Sequence, residues 1–64
     1  MMVNGVSKFM EKEMTLEQYL LKEGFNLARI VVEVNGSIIP KSNYPNLILS
    51  DADRVEIIHF VGGG

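Results

Sequence analysis

The chain has no cysteine and no tryptophan, a single histidine and only two prolines among its 64 residues. Without cysteine there is no disulfide, no thiolate nucleophile and no cysteine-type zinc site, and sulfur cannot ride on this chain as a side-chain persulfide. With His59 as the one imidazole, a histidine-rich metal site is excluded, so no metal is expected. Charge is sparse as well. Six basic and eight acidic residues leave a net charge of −2, and no two basic residues are adjacent. Such a surface neutralises phosphates poorly, so nucleic acid is not an expected partner. Apolar runs extend only a few residues, far short of the roughly 20 needed to cross a bilayer, and no membrane association is expected. The N-terminus lacks a basic segment followed by a long apolar stretch, so no signal peptide is read and a cytoplasmic protein is expected. No nucleophile stands with a base, which argues against an enzyme.

What is present suits one small folded domain. Hydrophobic residues make up 47% of the chain and charged residues 22%, a balance that favours order over disorder. A chain of this length buries only about 60% of its unfolded surface and supports one modest core.

Met1 to Asn4 is short and apolar. Asn4-Gly5 follows, a pair suited to a two-residue hairpin because both positions accept φ > 0. Val6 to Met10 is the expected return strand. Thr15-Leu16-Glu17-Gln18 reads as a capping box, with Met14 and Tyr19 placed as a hydrophobic staple. Leu16, Tyr19 and Leu20 then supply a helical stripe, and Gly24 fits the position after the helix that requires φ > 0. A helix over residues 16–23 follows. Ile30 to Val34 is a β-branched strand, Asn35-Gly36 a second hairpin turn, and Ser37 to Pro40 its return, which Pro40 ends or confines to an edge. Lys41 to Asn46 suits a loop or one 3₁₀ turn. Leu47 to Leu49 is an apolar segment before the turn Ser50-Asp51-Ala52-Asp53, and Arg54 to Phe60 is the last strand. Asp51 and Asp53 read as turn residues rather than a catalytic carboxylate pair. One helix and four or five short strands, with the last strand pairing non-locally beside the first, imply an α+β fold. It is a β-grasp, or ubiquitin-like, roll in which a mixed sheet packs on the helix. The helix should set Leu16 and Leu20 against Val32, Val34, Val55 and Ile57.

After the last strand come Val61-Gly62-Gly63-Gly64. Glycine beyond a strand packs nothing and is costly to order. A frayed terminus is one account of it. The other is chemical: without side chains, the tail offers the α-carboxylate of Gly64, and no Cβ hinders its entry into a narrow active site. The chain therefore divides into a β-grasp domain, 1–60, and a flexible glycine tail, 61–64.

Taken in order, Val3-Asn4-Gly5, Thr15-Leu16, Val32-Glu33-Val34-Asn35-Gly36-Ser37-Ile38-Ile39-Pro40, Asp51-Ala52-Asp53-Arg54-Val55-Glu56-Ile57 and the terminal glycines resemble the ThiS family over essentially the whole chain. These are the sulfur carriers of thiamine thiazole synthesis, in the superfamily of ubiquitin and the small subunit of molybdopterin synthase. Ala52 stands where the family usually has glycine, so a turn needing φ > 0 there would be strained. The resemblance implies that a ubiquitin-activating-type adenylating enzyme (ThiF-like) uses ATP to make an acyl-adenylate at Gly64. A sulfur donor such as a cysteine desulfurase then yields a thiocarboxylate, and a thiazole synthase (ThiG-like) receives the sulfur. The protein itself would bind no cofactor and act as a cosubstrate rather than a catalyst. Gly62 and Gly63 would give the tail access to the active site, with a mere spacer as the lesser reading of Gly62.

Alternation along the last strand points Val55 and Ile57 to the helix and Ile58 and Phe60 outward, an apolar patch for docking unless the protein's own loops cover it. His59 would lie on the core side at the sheet end as a half-buried structural residue. Two other functions fit the same residues. One is a carrier for molybdopterin or another metabolite, against which the short length argues. The other is a ubiquitin-like interaction module without tail chemistry.

Overall fold

Two asparagine-glycine turns set the ends of the sheet. The computed structural model describes residues 1–60. In chain order these form β1 (Met2–Val3), β2 (Val6–Ser7), α1 (Leu16–Lys22), β3 (Ile30–Val34), β4 (Ser37–Ile38) and β5 (Arg54–His59), with 3₁₀ turns at Leu27–Arg29 and Lys41–Asn43. The strands make one five-stranded sheet in the order β2-β1-β5-β3-β4. The two hairpins are antiparallel, and β5 lies between them, antiparallel to β3 and parallel to β1. The last strand thus pairs beside the first, which makes the sheet mixed and the fold the expected β-grasp roll.

Several strands are shorter than their apolar runs imply. The return from Asn4-Gly5 ends at Ser7 rather than Met10, and β4 ends at Ile38 rather than Pro40. Both are edge strands whose residues are exposed, so no buried face extends their pairing. One further rung, from the Ile39 N–H to the Val32 carbonyl at 2.9 Å, brings the chain to Pro40, which has no N–H to continue. The 3₁₀ turn at Leu27–Arg29 was not expected from the pattern; the Asn26 side chain caps it by accepting from the Ala28 N–H at 3.0 Å.

Helix α1 follows its sequence signals closely. The Thr15 hydroxyl accepts from the Gln18 N–H at 3.1 Å, and the Gln18 side chain accepts from the Thr15 N–H at 2.9 Å. At the other end Gly24 has φ 85°, which lets its own N–H reach Leu21 and the Phe25 N–H reach Leu20, closing the last carbonyls as a Schellman motif. Leu16, Tyr19 and Leu20 face the sheet and share one buried cluster with Val3, Ile30, Val32, Val34, Val55 and Ile57. Tyr44 and Leu49 close the far side of that cluster.

Candidate functional site

The site is built outward from β5, because that strand leads to the terminal glycines. Its inward residues, Val55 and Ile57, are buried, while Ile58 and Phe60 are 49% and 54% exposed. The loops leave both uncovered. Register extends this patch beyond what alternation on one strand reveals. Ile58 stands directly opposite Val31, and Glu56 opposite Glu33, which in turn pairs with Ile38. Ile38, 66% exposed, therefore shares the outer face. Sequence reasoning missed it because only the β3–β4 register brings it there.

Electrostatically the outer face is uneven. Glu33 and Glu56 are like charges directly across the ladder, an arrangement that repels. Arg54, two positions along the same strand, is the cation on this face. Together with Asn35, Gly36 and Ala52 they line a shallow depression beside the apolar patch.

At the exit end of β5 the Phe60 N–H donates to the Arg29 carbonyl at 2.9 Å, so pairing holds the chain as far as Phe60. His59 lies opposite Ile30 on the helix side of the sheet, as expected, but it is exposed rather than half-buried. The helix ends at Lys22, and Phe25 beyond it stands beside the sheet end, its ring 5.4 Å from the imidazole and tilted by 33°. Gly62, Gly63 and Gly64 lie outside the described residues, as does the boundary between domain and tail.

The two asparagines hold β5 in the same way. Asn35 has φ 53°, so its carbonyl belongs to the turn; its side-chain oxygen accepts from the Arg54 N–H at 2.9 Å. Asn4, with φ 50°, accepts from the Ile57 N–H at 2.7 Å. In each case an amide side chain supplies a ladder rung that the turning backbone has given up. Asn35 also donates to Asp53 at 3.0 Å, and Asp53 accepts from the Ser50 N–H at 2.8 Å. Asp53 is thus a turn residue, and with Asn4 and Asn35 the only non-glycine positions at φ > 0 among the described residues, Ala52 carries no such strain.

Known proteins resemble this chain throughout its length. Residues 2–64 match the ThiS family. A protein named thiazole synthase from Paramagnetospirillum magneticum is 36% identical over 64 residues, all of this chain but 20% of that protein, so the chain spans about a fifth of that relative's length. The sulfur carrier protein ThiS of Bacillus subtilis is 51% identical over 35 residues, 55% of this chain and 53% of its own. In structure, the thiamine biosynthesis protein ThiS from Geobacter metallireducens superposes with a TM-score of 0.81 at 24% identity, covering 98% of this chain and 96% of the other, a likeness of fold.

Proposed function

This chain belongs to the ThiS family, sulfur carriers of thiamine biosynthesis, and from that premise we propose that Gly64 is the sulfur-bearing residue. The observation that carries the reading is the geometry at the end of β5, where the backbone is paired as far as Phe60 and two apolar side chains are exposed beside it, in a sequence that continues for four more residues, Val61-Gly62-Gly63-Gly64. Extended, those four span roughly 13–14 Å at 3.3–3.6 Å per residue. A folded head can then dock outside an enzyme while the terminus enters.

A free α-carboxylate has a pKa near 3.3–3.7 and is anionic at neutral pH, hence a poor electrophile. Activation puts a leaving group on it. One carboxylate oxygen attacks the α-phosphorus of ATP, pyrophosphate departs, and the acyl-adenylate of Gly64 forms on a ThiF-like adenylating enzyme. The outer sulfur of a persulfide on a donor such as a cysteine desulfurase attacks the acyl carbon and expels AMP, giving an acyl disulfide. A thiol reductant then cleaves the S–S bond, leaving the thiocarboxylate and the donor's free thiol. A ThiG-like thiazole synthase takes that sulfur and returns the carboxylate. The kinship with a chain named thiazole synthase supports this acceptor. The carrier is consumed and recharged and performs no catalysis. Ile58 and Phe60, with Ile38 alongside, form the docking face. Gly62 and Gly63 pass through the narrow channel, where a branched Cβ would not fit.

Deleting Gly64 withdraws the carboxylate by about 3.3–3.6 Å, whereas a misplacement of roughly 1 Å can cost about 100-fold in rate. The deletion should abolish ATP–pyrophosphate exchange and thiocarboxylate formation with the cognate adenylating enzyme while leaving the melting temperature unchanged. Gly63→Val should do the same with the carboxylate in place. If both variants form the adenylate at the parent rate, the carrier reading fails and an interaction module is the better account.

A further inference from the structure

Asparagine occurs at positions 4, 26, 35, 43 and 46, and only Asn4 and Asn35 precede glycine. The others precede alanine-free, bulky neighbours: Leu27, Tyr44 and Leu47. A glycine amide has no Cβ beside it, so its nitrogen swings most freely onto the carbonyl carbon of the preceding side chain. In the folded hairpins both asparagine side chains are instead directed to β5, where their oxygens take N–H groups. Reaction therefore requires local opening, and the two hairpins differ in how firmly they are closed.

Asn35 ends the longest ladder of the sheet, five register pairs between β3 and β5. Both ends of its amide are engaged, the oxygen by the Arg54 N–H and the nitrogen by Asp53. Asn4 ends the shortest inter-hairpin ladder, two pairs between β1 and β5. Among the described residues its side chain is held through the oxygen alone. We infer that Asn4 is a site of spontaneous succinimide formation and deamidation, reacting well ahead of Asn35, and that the β-linked product of this modification releases the Asn4 clamp on β5.

In the step, the Gly5 nitrogen bonds to Asn4 Cγ and loses its proton to solvent base. The Cγ–Nδ2 bond breaks, and the nitrogen leaves as ammonia with a proton from solvent. Water then opens the cyclic imide at either carbonyl, giving aspartate or its β-linked isomer; nothing is oxidised or reduced. Aspartate keeps a carboxylate oxygen where Ile57 N–H can donate. The β-linked isomer inserts a methylene into the main chain and shortens the side chain, so the rung to Ile57 is lost and β1 slips against β5.

The full chain, aged in mildly alkaline buffer, tests this by peptide mapping with enzymatic methyl labelling of β-linked aspartate. Asn4 should convert about fivefold or more faster than Asn35, the effect of roughly one additional net hydrogen bond on an opening equilibrium. The β-linked fraction should show fast hydrogen exchange at the Ile57 amide, and Asn4→Asp should keep that amide protected. Val3→Ala, which loosens β1 on β5, should speed conversion at Asn4 more than at Asn35. Equal rates at the two sites, or Asn35 reacting first, would overturn the assignment. So would an Ile57 amide equally protected in the β-linked form, or an Asn4 rate indifferent to Val3→Ala.

Discussion

Tyr44 is 1% exposed, while its neighbours Asn43 and Pro45 are exposed in a stretch that is otherwise polar. Composition alone makes residues 41–46 a loop, and the ring in its middle is part of the core. The short 3₁₀ turn at Lys41–Asn43, tied back by the Lys41 ammonium donating to the Leu27 carbonyl, swings it inward. Helix α1 docks on this loop through the Glu17 N–H, which donates to the Tyr44 carbonyl at 3.0 Å. Burial raises the Tyr44 phenol above its ordinary pKa of 10.0, with a backbone hydrogen bond from Val32 acting in the opposite sense. Tyr19 is raised as well, by burial first and then by the charge of Glu23. A raised pKa in the fold means that the unfolded chain deprotonates first. The stability from these two phenols is therefore complete below pH 10.0 and lost as pH rises through the folded-state values. Urea midpoints measured from neutral to strongly alkaline pH should fall above that point. Tyr44→Phe should cost about 0.5–1.5 kcal/mol at neutral pH, by loss of its hydrogen bond, and make the alkaline fall less steep.

At the scale of elements, α1 is seven residues long, too short to persist alone in water. Its caps and its buried face must both hold. Thr15→Ala removes the acceptor for the Gln18 N–H and should destabilise by about 0.5–2 kcal/mol. Leu20 is fully buried, and Leu20→Ala should cost about 2–5 kcal/mol through lost transfer energy and a residual cavity. Denaturant titration reads both, and a loss under about 0.5 kcal/mol at Leu20 would contradict its place in the core. The helix was legible because capping residues, stripe and terminal glycine act within a few positions of one another. The edge strands were less so: their lengths depend on which residues find a partner, and Val6 to Met10 carries apolar side chains that largely stay in solvent.

For the whole molecule, the sheet has one covered face and one open one. The helix, Tyr44 and Leu49 cover the inner side, while Ile38, Ile58 and Phe60 stay open on the other. Phe60→Asp should leave the unfolding free energy from urea titration within about 0.5 kcal/mol of the parent, as expected at an exposed position, and weaken binding to the adenylating enzyme measured by calorimetry. A sharp drop in stability would instead place Phe60 in the core. No helix among the described residues is long and apolar enough to cross a membrane.

Local chemistry in the sequence was enough for the two Asn-Gly turns, the capped helix, and the alternating faces of β3 and β5. Each of these is decided by neighbours in the chain: φ > 0 needs Asn or Gly, a cap needs its acceptor three residues away, and strand faces alternate with a period of two. The parallel placement of β1 beside β5 could be expected from the element order, but its register could not. Nor could the side-chain rungs of Asn4 and Asn35, the inward turn of Tyr44, the exposure of His59, or the arrival of Ile38 beside Ile58. All of these depend on pairing between residues far apart in sequence, and only the closed sheet, packing on one helix too short to cover its end, decides which groups meet.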